Sequence, residues 1–163
     1  MSSQYLLARK WALTDKFTIT DADGQPRFEV AGRIALRQRL SIRDVTGAEV
    51  AVISRGGLRA RFDITADGVQ ATVRPRGIFK TGFVIDTTAG QLLARGNFTG
   101  RTFELSRGLS VVASVTQQRA LRERFAVEVA DGEDAVLMLA AILVIEIVRD
   151  ERRQSAAAAS AGG

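Results

Sequence analysis

The stretch FTITDADGQPRFEV, residues 17–30, decides the fold. Large apolar side chains alternate with polar ones on both sides of a short polar segment: Phe17 and Ile19 precede it, and Phe28 and Val30 follow it. Alternation with a period of two is typical of a β-strand that buries one face. The Asp-Ala-Asp-Gly segment between the two runs favours a tight turn, because Asp side chains accept backbone hydrogen bonds and Gly adopts a positive φ without steric cost. The stretch therefore predicts a β-hairpin.

The same pattern recurs about every 22 residues, a period typical of repeated supersecondary units. The six copies begin at Phe17, Leu40, Phe62, Phe83, Phe103 and Phe125. Their turns contain Gly24, Gly47, Gly68, Gly90, Gly108 and Gly132. Six copies predict six hairpins and about twelve antiparallel strands. The segment from Tyr5 to Trp11 adds to the first strand or overlaps it.

The last apolar segment predicts a helix over about residues 133–149. Glu133 and Asp134 suit the positive end of a helix dipole, and Arg149 suits the negative end. The middle of the segment, residues 136–145, is apolar on every face. Such a helix is either buried all round or lies in a membrane. About 16 residues give a length of about 24 Å, which is short for a membrane span but close to the height of a barrel.

Together these patterns predict a mainly β fold, a closed antiparallel barrel of about twelve strands around a C-terminal hydrophobic helix. Closure removes the exposed strand edges of a long meander, and the helix supplies the core that hairpins alone would lack. At 163 residues the chain is expected to form one domain, over residues 1–150. Residues 151–163 end in a run of Ala, Ser and Gly, a composition that predicts a disordered tail.

Three segments resemble a known family: Phe17 to Gly24, Leu40 to Glu49, and Phe125 to Asp134 followed by the apolar helix. Over residues of about 5 to 150 the chain is similar to LURP-one-related proteins of the Tubby C-terminal-like superfamily. The resemblance implies a twelve-strand barrel wrapped around a hydrophobic helix. It also implies phospholipid binding, since relatives bind phosphoinositides (the Tubby proteins) or are connected with phospholipid movement (the scramblases).

The chain contains no Cys and no His. This composition excludes disulfides, thiolate chemistry and the usual zinc ligands, and it removes the commonest general base. The Asp-rich segment 21–24 is interpreted as a turn, because it lacks the glutamate that closes an EF-hand loop. Segment 131–134 is interpreted as a turn that leads into the helix. We therefore predict that the protein is not an enzyme and has no catalytic residues, no metal site and no cofactor.

The N-terminal segment lacks the charged start and apolar stretch of a signal peptide. No run reaches the roughly 18 apolar residues of a membrane span. The sequence therefore predicts a cytoplasmic protein. The formal net charge is +5, from 23 basic and 18 acidic residues, and a positive net charge favours anionic partners.

Most of the basic residues fall in the links between the predicted hairpins. In an up-and-down meander all hairpin turns lie at one end of the barrel and all links lie at the other. The binding candidates in the links are Arg33, Arg37, Arg39, Arg55, Arg59, Arg61, Arg74, Arg76 and Lys80. Further link arginines are Arg95, Arg101, Arg119, Arg122 and Arg124. Acids instead collect in the turns, so we expect a basic end and an acidic end.

Clustered arginines indicate an anion-binding end, because a guanidinium group binds phosphate in a bidentate manner. The sequence accordingly predicts peripheral binding of anionic phospholipid or phosphoinositide at a membrane surface. The alternative is a protein-interaction or scaffold domain without a lipid role, in which the charged links only keep the barrel soluble. Nucleic acid is disfavoured as a partner, because single-strand binding proteins stack bases on exposed aromatic side chains and most phenylalanines here are assigned to the core.

Glu146 is an acid late in the apolar helix, and two interpretations are open. It lies at the mouth of the barrel where the helix enters water, or it is buried and paired with an arginine from a link. The charged residues Arg149 and Asp150, which follow closely, favour the mouth. A buried acid would have a perturbed pKa and would mark a candidate site.

Overall fold

A computed structural model describes residues 2–8, 16–32, 39–56, 61–76, 82–98, 100–118 and 124–161. The elements are β1 (Ser2–Ala8), β2 (Lys16–Asp21), β3 (Pro26–Gly32), β4 (Arg39–Asp44), β5 (Glu49–Gly56), β6 (Arg61–Ala66), β7 (Val69–Pro75), β8 (Phe83–Thr87), β9 (Gly90–Asn97), β10 (Thr102–Arg107), β11 (Ser110–Gln117), β12 (Arg124–Ala130) and α1 (Ala135–Ala161). Trp11 lies outside the described residues.

The twelve strands form one closed antiparallel barrel in which every strand pairs with its neighbours in the sequence. The barrel closes where β1 pairs with β12, in a register that runs from Ser2 opposite Ala130 to Ala8 opposite Arg124. Closure leaves no unpaired strand edge in the sheet. The predicted fold class, a barrel of twelve strands with a C-terminal helix, is confirmed.

The prediction that the twelve strands form six hairpins of the repeat is wrong by one hairpin. Five hairpins run from β2 to β11. The sixth copy of the repeat contributes only β12, because after Gly132 the alternation of apolar and polar residues ends and the chain turns into α1. The partner that a hairpin would have given to β12 is β1, whose sequence lacks the turn motif of the repeat.

The Asp-Ala-Asp-Gly segment forms the predicted turn between β2 and β3. Asp21 Oδ1 accepts hydrogen bonds from the backbone amides of Asp23 and Gln25, at 2.9 and 3.0 Å. Gly24 has a φ of +83°, a left-handed conformation that favours glycine. The apolar side of the flanking strands faces inward, with Ile19 and Val30 buried. The repeat thus encodes both the turn and the inward face.

Helix α1 starts beside the hairpin turns and runs through the barrel. Asp134 caps it, since its Oδ1 accepts a hydrogen bond from the amide of Leu137 at 3.1 Å. Every side chain from Leu137 to Val148 is buried, including Leu139 and Ile142 at 0% exposure. Burial on all faces explains why this segment is apolar all round. The helix is therefore the core on which the inward faces of the strands pack.

The helix does not end near residue 149 as predicted but continues to Ala161. The prediction of a disordered tail over residues 151–163 is therefore wrong for residues 151–161. Alanine has the highest intrinsic helix propensity, so a run of alanines after a helix propagates it. Side chains from Arg153 to Ser160 are exposed, so this part of α1 projects beyond the barrel.

We predict that Leu139→Asp unfolds the domain. The substitution places an unpaired charge where no water reaches, at a cost of several kcal/mol, which is comparable with the about 5–15 kcal/mol total stability of a domain. The control is Leu109→Asp, the same change at a fully exposed turn position. Thermal melts followed by circular dichroism should show a cooperative transition for the control and none for Leu139→Asp. A native-like melt of Leu139→Asp would rule out the central helix.

Candidate functional site

The antiparallel order gives the barrel two different ends. The hairpin turns and the start of α1 lie at one end, which we term the turn end. The strand ends that lead into the links between hairpins lie at the opposite end, which we term the link end. Helix α1 leaves the barrel at the link end. The predicted anion site therefore concerns the link end and the final turns of α1.

Five of the predicted binding residues lie on one sector of the link end. They are Arg39 on β4, Arg55 on β5, Arg61 on β6, Arg74 on β7 and Arg76 directly after β7. These four strands are consecutive neighbours in the sheet. In the register, Arg39 is opposite Ser54 and Arg61 is opposite Gly56. We refer to these five residues as the basic arc.

The other four candidates, Arg33, Arg37, Arg59 and Lys80, lie outside the described residues. They belong to the links that precede or follow the strands of the basic arc. The candidate site therefore consists of the five described arginines.

Three residues of the basic arc point outward and lie along the wall of the barrel. Their ion pairs are Arg39 with Glu49 at 3.3 Å, Arg61 with Asp63 at 3.5 Å, and Arg74 with Asp86 at 3.3 Å. The sequence interpretation counted Glu49 among the acids of the turn end, and it missed Asp63 and Asp86 because it compared only links and turns, whereas these two acids lie within strands. The three arginine side chains are 51–63% exposed. Exposed pairs contribute only about 0–1 kcal/mol each, so an external anion can exchange with the carboxylates.

Arg55 differs from the rest of the basic arc because it points inward. Arg55 lies on the same face of β5 as the buried residues Ala51 and Ile53. Its guanidinium carbon lies 4.8 Å from the ring centroid of Phe62. Its side chain is 25% exposed and forms an ion pair with Glu151 of α1. A link-end arginine is thus joined to the helix where the helix leaves the barrel.

A fully buried ion pair lies deeper, between Arg101 and Glu146. Arg101 Nε is 2.8 Å from Glu146 Oε2, and the two side chains are 3% and 0% exposed. Arg149 Nη1 approaches the same oxygen at 3.5 Å. Glu146 Oε1 has no hydrogen-bond partner among the described residues. The favoured interpretation, that Glu146 lies in water at the mouth, is therefore wrong, and the alternative of a buried acid paired with a link arginine is correct.

Burial has a direct electrostatic consequence for this pair. Loss of hydration raises the pKa of Glu146, and the charge and hydrogen bond of Arg101 oppose that effect. Burial also lowers the pKa of Arg149. Arg101 adopts a positive φ of +54° and lies 5.1 Å from the ring centroid of Phe125. Nothing in the sequence distinguished Arg101 from the other link arginines, since its partner is 45 residues away.

The acids of the turn end form structural contacts. Glu133 pairs with Arg107 at 2.5 Å, and Asp134 caps α1. A hydrogen bond from the Thr46 hydroxyl lowers the pKa of Asp44. Asp44 Oδ1 also accepts hydrogen bonds from the backbone amides of Thr46 and Ala48. Among the described residues, no group of three or more acids is arranged to hold a metal ion. The described part of α1 is not both long and apolar enough to cross a membrane.

Comparison with known proteins identifies the family. A model of the LURP-one-related family matches residues 4–146. The chain belongs to the LURP-one-related family. The family predicted from the sequence resemblance is therefore confirmed, and a LURP-one-related barrel is consistent with a binding module.

A solved structure supports the fold of this LURP-one-related chain. The X-ray structure of a protein from Arabidopsis thaliana has a TM-score of 0.68 and 18% sequence identity, and the match covers 91% of each chain. At this identity the similarity shows the fold alone. No curated protein matches the sequence.

We predict non-additive effects of substitutions in the buried pair. Arg101→Met or Glu146→Leu alone should lower the free energy of unfolding by about 3–5 kcal/mol, because each leaves one buried charge without its partner. The double variant should lose much less than the sum of the two. Arg74→Met, which breaks an exposed pair, is the control and should cost about 1 kcal/mol or less. Urea unfolding measures all four variants, and additive losses would contradict a coupled buried pair.

We also predict a pH-dependent difference between the wild type and Glu146→Gln. A raised pKa means that the folded protein retains the Glu146 proton at a pH where the unfolded chain has released it. The stability of the wild type relative to the variant should therefore fall as pH rises above about 4.3, the ordinary Glu pKa, and level off once the folded protein has ionised. Urea titrations across this range measure the difference. A relative stability that increases with pH would show that the arginines outweigh desolvation.

Proposed function

We propose that the protein is a non-enzymatic binding module that docks peripherally on anionic phospholipid at the cytoplasmic face of a membrane. The observation that carries the proposal is the basic arc: five arginines on four adjacent strands at the same end of the barrel. Each basic group near an anionic bilayer contributes about 1 kcal/mol of attraction. Several arginines on one sector can act on the same surface together.

The distribution of acids supports this orientation. Exposed acids at Asp23, Asp67 and Asp131 lie at the turn end. Strands of five to eight residues separate the two ends by about 20 Å. Electrostatic interactions are screened over about 8 Å at physiological ionic strength. Acids at the far end therefore do not cancel the attraction of the basic arc for a surface that it faces.

The carboxylates paired with the basic arc can be displaced by an anionic ligand. Arg76 is exposed and has no ion pair among the described residues. The three outward pairs of the arc are mostly exposed and therefore weak. Phosphate oxygens offer bidentate geometry and up to two negative charges, so they compete well with a single carboxylate for a guanidinium group.

We predict that Arg61→Gln with Arg76→Gln weakens binding to anionic vesicles. Removing two basic groups of the arc should lower the partition coefficient by up to about 30-fold, at about 1 kcal/mol each. The matched control is Arg27→Gln with Arg43→Gln, two exposed arginines at the turn end, which should bind like the wild type. The measurement is co-sedimentation with phosphatidylcholine vesicles, with and without phosphatidylserine, at low and high salt.

Two outcomes would contradict the proposed function. Equal losses in the arc variant and the turn-end control would mean that net charge matters and the arc does not. No salt-sensitive gain of wild-type binding on adding phosphatidylserine would exclude lipid docking and favour the protein-interaction alternative.

A further inference from the structure

The ion pair between Arg55 and Glu151 joins the basic arc to α1, and attraction to an anionic surface does not by itself require it. Arg55 is the one described residue of the basic arc that turns toward the interior, and Glu151 reaches it from α1, 96 residues along the chain. The guanidinium carbon lies over the ring of Phe62, 4.8 Å from its centroid. This cation–π contact and the ion pair with Glu151 together hold the guanidinium group at the link end.

The carboxylate of Glu151 leaves part of this arginine unused. Arg55 Nε is buried and has no hydrogen-bond partner among the described residues. A guanidinium group offers five N–H donors in a fixed fork, and a phosphomonoester offers three acceptor oxygens with a charge of about −1.5 to −2. A phosphate group therefore offers Arg55 more acceptor oxygens and more negative charge than the Glu151 carboxylate, which contacts Nη2.

A second guanidinium group belongs to the same turn of α1 as Glu151. Arg152 follows Glu151 on α1 and lies 5.5 Å from the ring centroid of Phe83 on β8. Burial lowers the pKa of Arg152, which reflects the partial loss of its hydration. A partly dehydrated cation gains more from an anionic ligand than one in open water.

Glu151 lies between the buried and the exposed segments of α1. Burial is complete from Ala141 to Val148 and is lost from Arg153 onward. The Glu151 side chain is itself 43% exposed. Its ion pair can therefore open while the buried segment of the helix stays in place.

We propose that Arg55 forms a phosphomonoester subsite of the basic arc to which Arg152 adds a second cation, and that Glu151 occupies this subsite as an internal competitor when no ligand is bound. The inference rests on the proposed function. The ligand chemistry is a phosphate monoester, carried either by a lipid headgroup or by a small soluble molecule. Binding exchanges one carboxylate for one phosphate on Arg55 and releases the Glu151 side chain to solvent.

The test compares Glu151→Gln with Asp150→Asn. Both variants remove one negative charge from the same turn of α1. The ion-pair partner of Asp150 is Arg149, at 3.1 Å, whereas that of Glu151 is Arg55. Co-sedimentation uses phosphatidylcholine vesicles that contain phosphatidic acid, a phosphomonoester, or phosphatidylserine at matched total charge. A soluble arm titrates glycerol 3-phosphate by calorimetry. Circular dichroism melts check that all variants are folded.

The expected result is a gain of about fivefold in the affinity of Glu151→Gln for phosphatidic acid vesicles, with Asp150→Asn within about twofold of the wild type. The gain should be smaller with phosphatidylserine and should disappear in the double variant Arg55→Gln with Glu151→Gln. Binding of glycerol 3-phosphate to Glu151→Gln would identify a soluble ligand, and binding only to vesicles would identify a lipid headgroup.

Other results would overturn the inference. Equal gains in Glu151→Gln and Asp150→Asn, or no preference for phosphatidic acid, would show that the subsite does not exist, while lipid docking by the basic arc would stand if the Arg61 and Arg76 variant still loses binding. If neither the wild type nor Glu151→Gln binds any anionic vesicle or glycerol 3-phosphate, the subsite and the proposed function both fail.

Discussion

The inside of a closed twelve-stranded barrel has to be filled, and in this protein the segment Leu137–Val148 of α1 fills it. Apart from Arg55 at the link end, the inward faces of the strands are mainly apolar, and they bury their side chains against the helix or against neighbouring strands. Strands and helix therefore depend on each other: without the helix the barrel has no core, and without the barrel the helix exposes apolar side chains on every face. Because the helix occupies the interior, the binding chemistry is placed at the ends and outer surface.

The course of α1 through the barrel also determines what lies at the link end. The last part of the buried segment carries Glu146, which Arg101 neutralises in the absence of water. One turn further on, Glu151 contacts Arg55 where solvent has access. The inner pair is costly to break because it would leave a buried charge, whereas the outer pair is exchangeable. The same helix thus carries one buried ion pair and, next to it, one that solvent can reach.

The sequence predicted the strands because period-two alternation and turn glycines are local signals, and it predicted closure because a helix apolar on all faces needs a surrounding sheet. It did not reveal that β1 replaces the sixth hairpin, since pairing between the two ends of the chain leaves no local mark. The tail was misjudged because its composition resembles a disordered segment although alanine favours helix. At the site, topology placed the arginines at one end. The ion-pair partners of Arg39, Arg55 and Arg101 depend on the cross-strand register and on the rotation of α1 about its axis. Local sequence patterns do not reveal either of these.

Native-state hydrogen exchange followed by mass spectrometry tests most directly whether barrel and helix form one cooperative unit. The amides of residues 137–148 should exchange as slowly as those of the central strands, because they open only when the whole domain unfolds. The amides of residues 153–160 should exchange within a short labelling time. Rapid exchange over residues 137–148 while the strands remain protected would contradict this, because the helix would then leave an intact barrel.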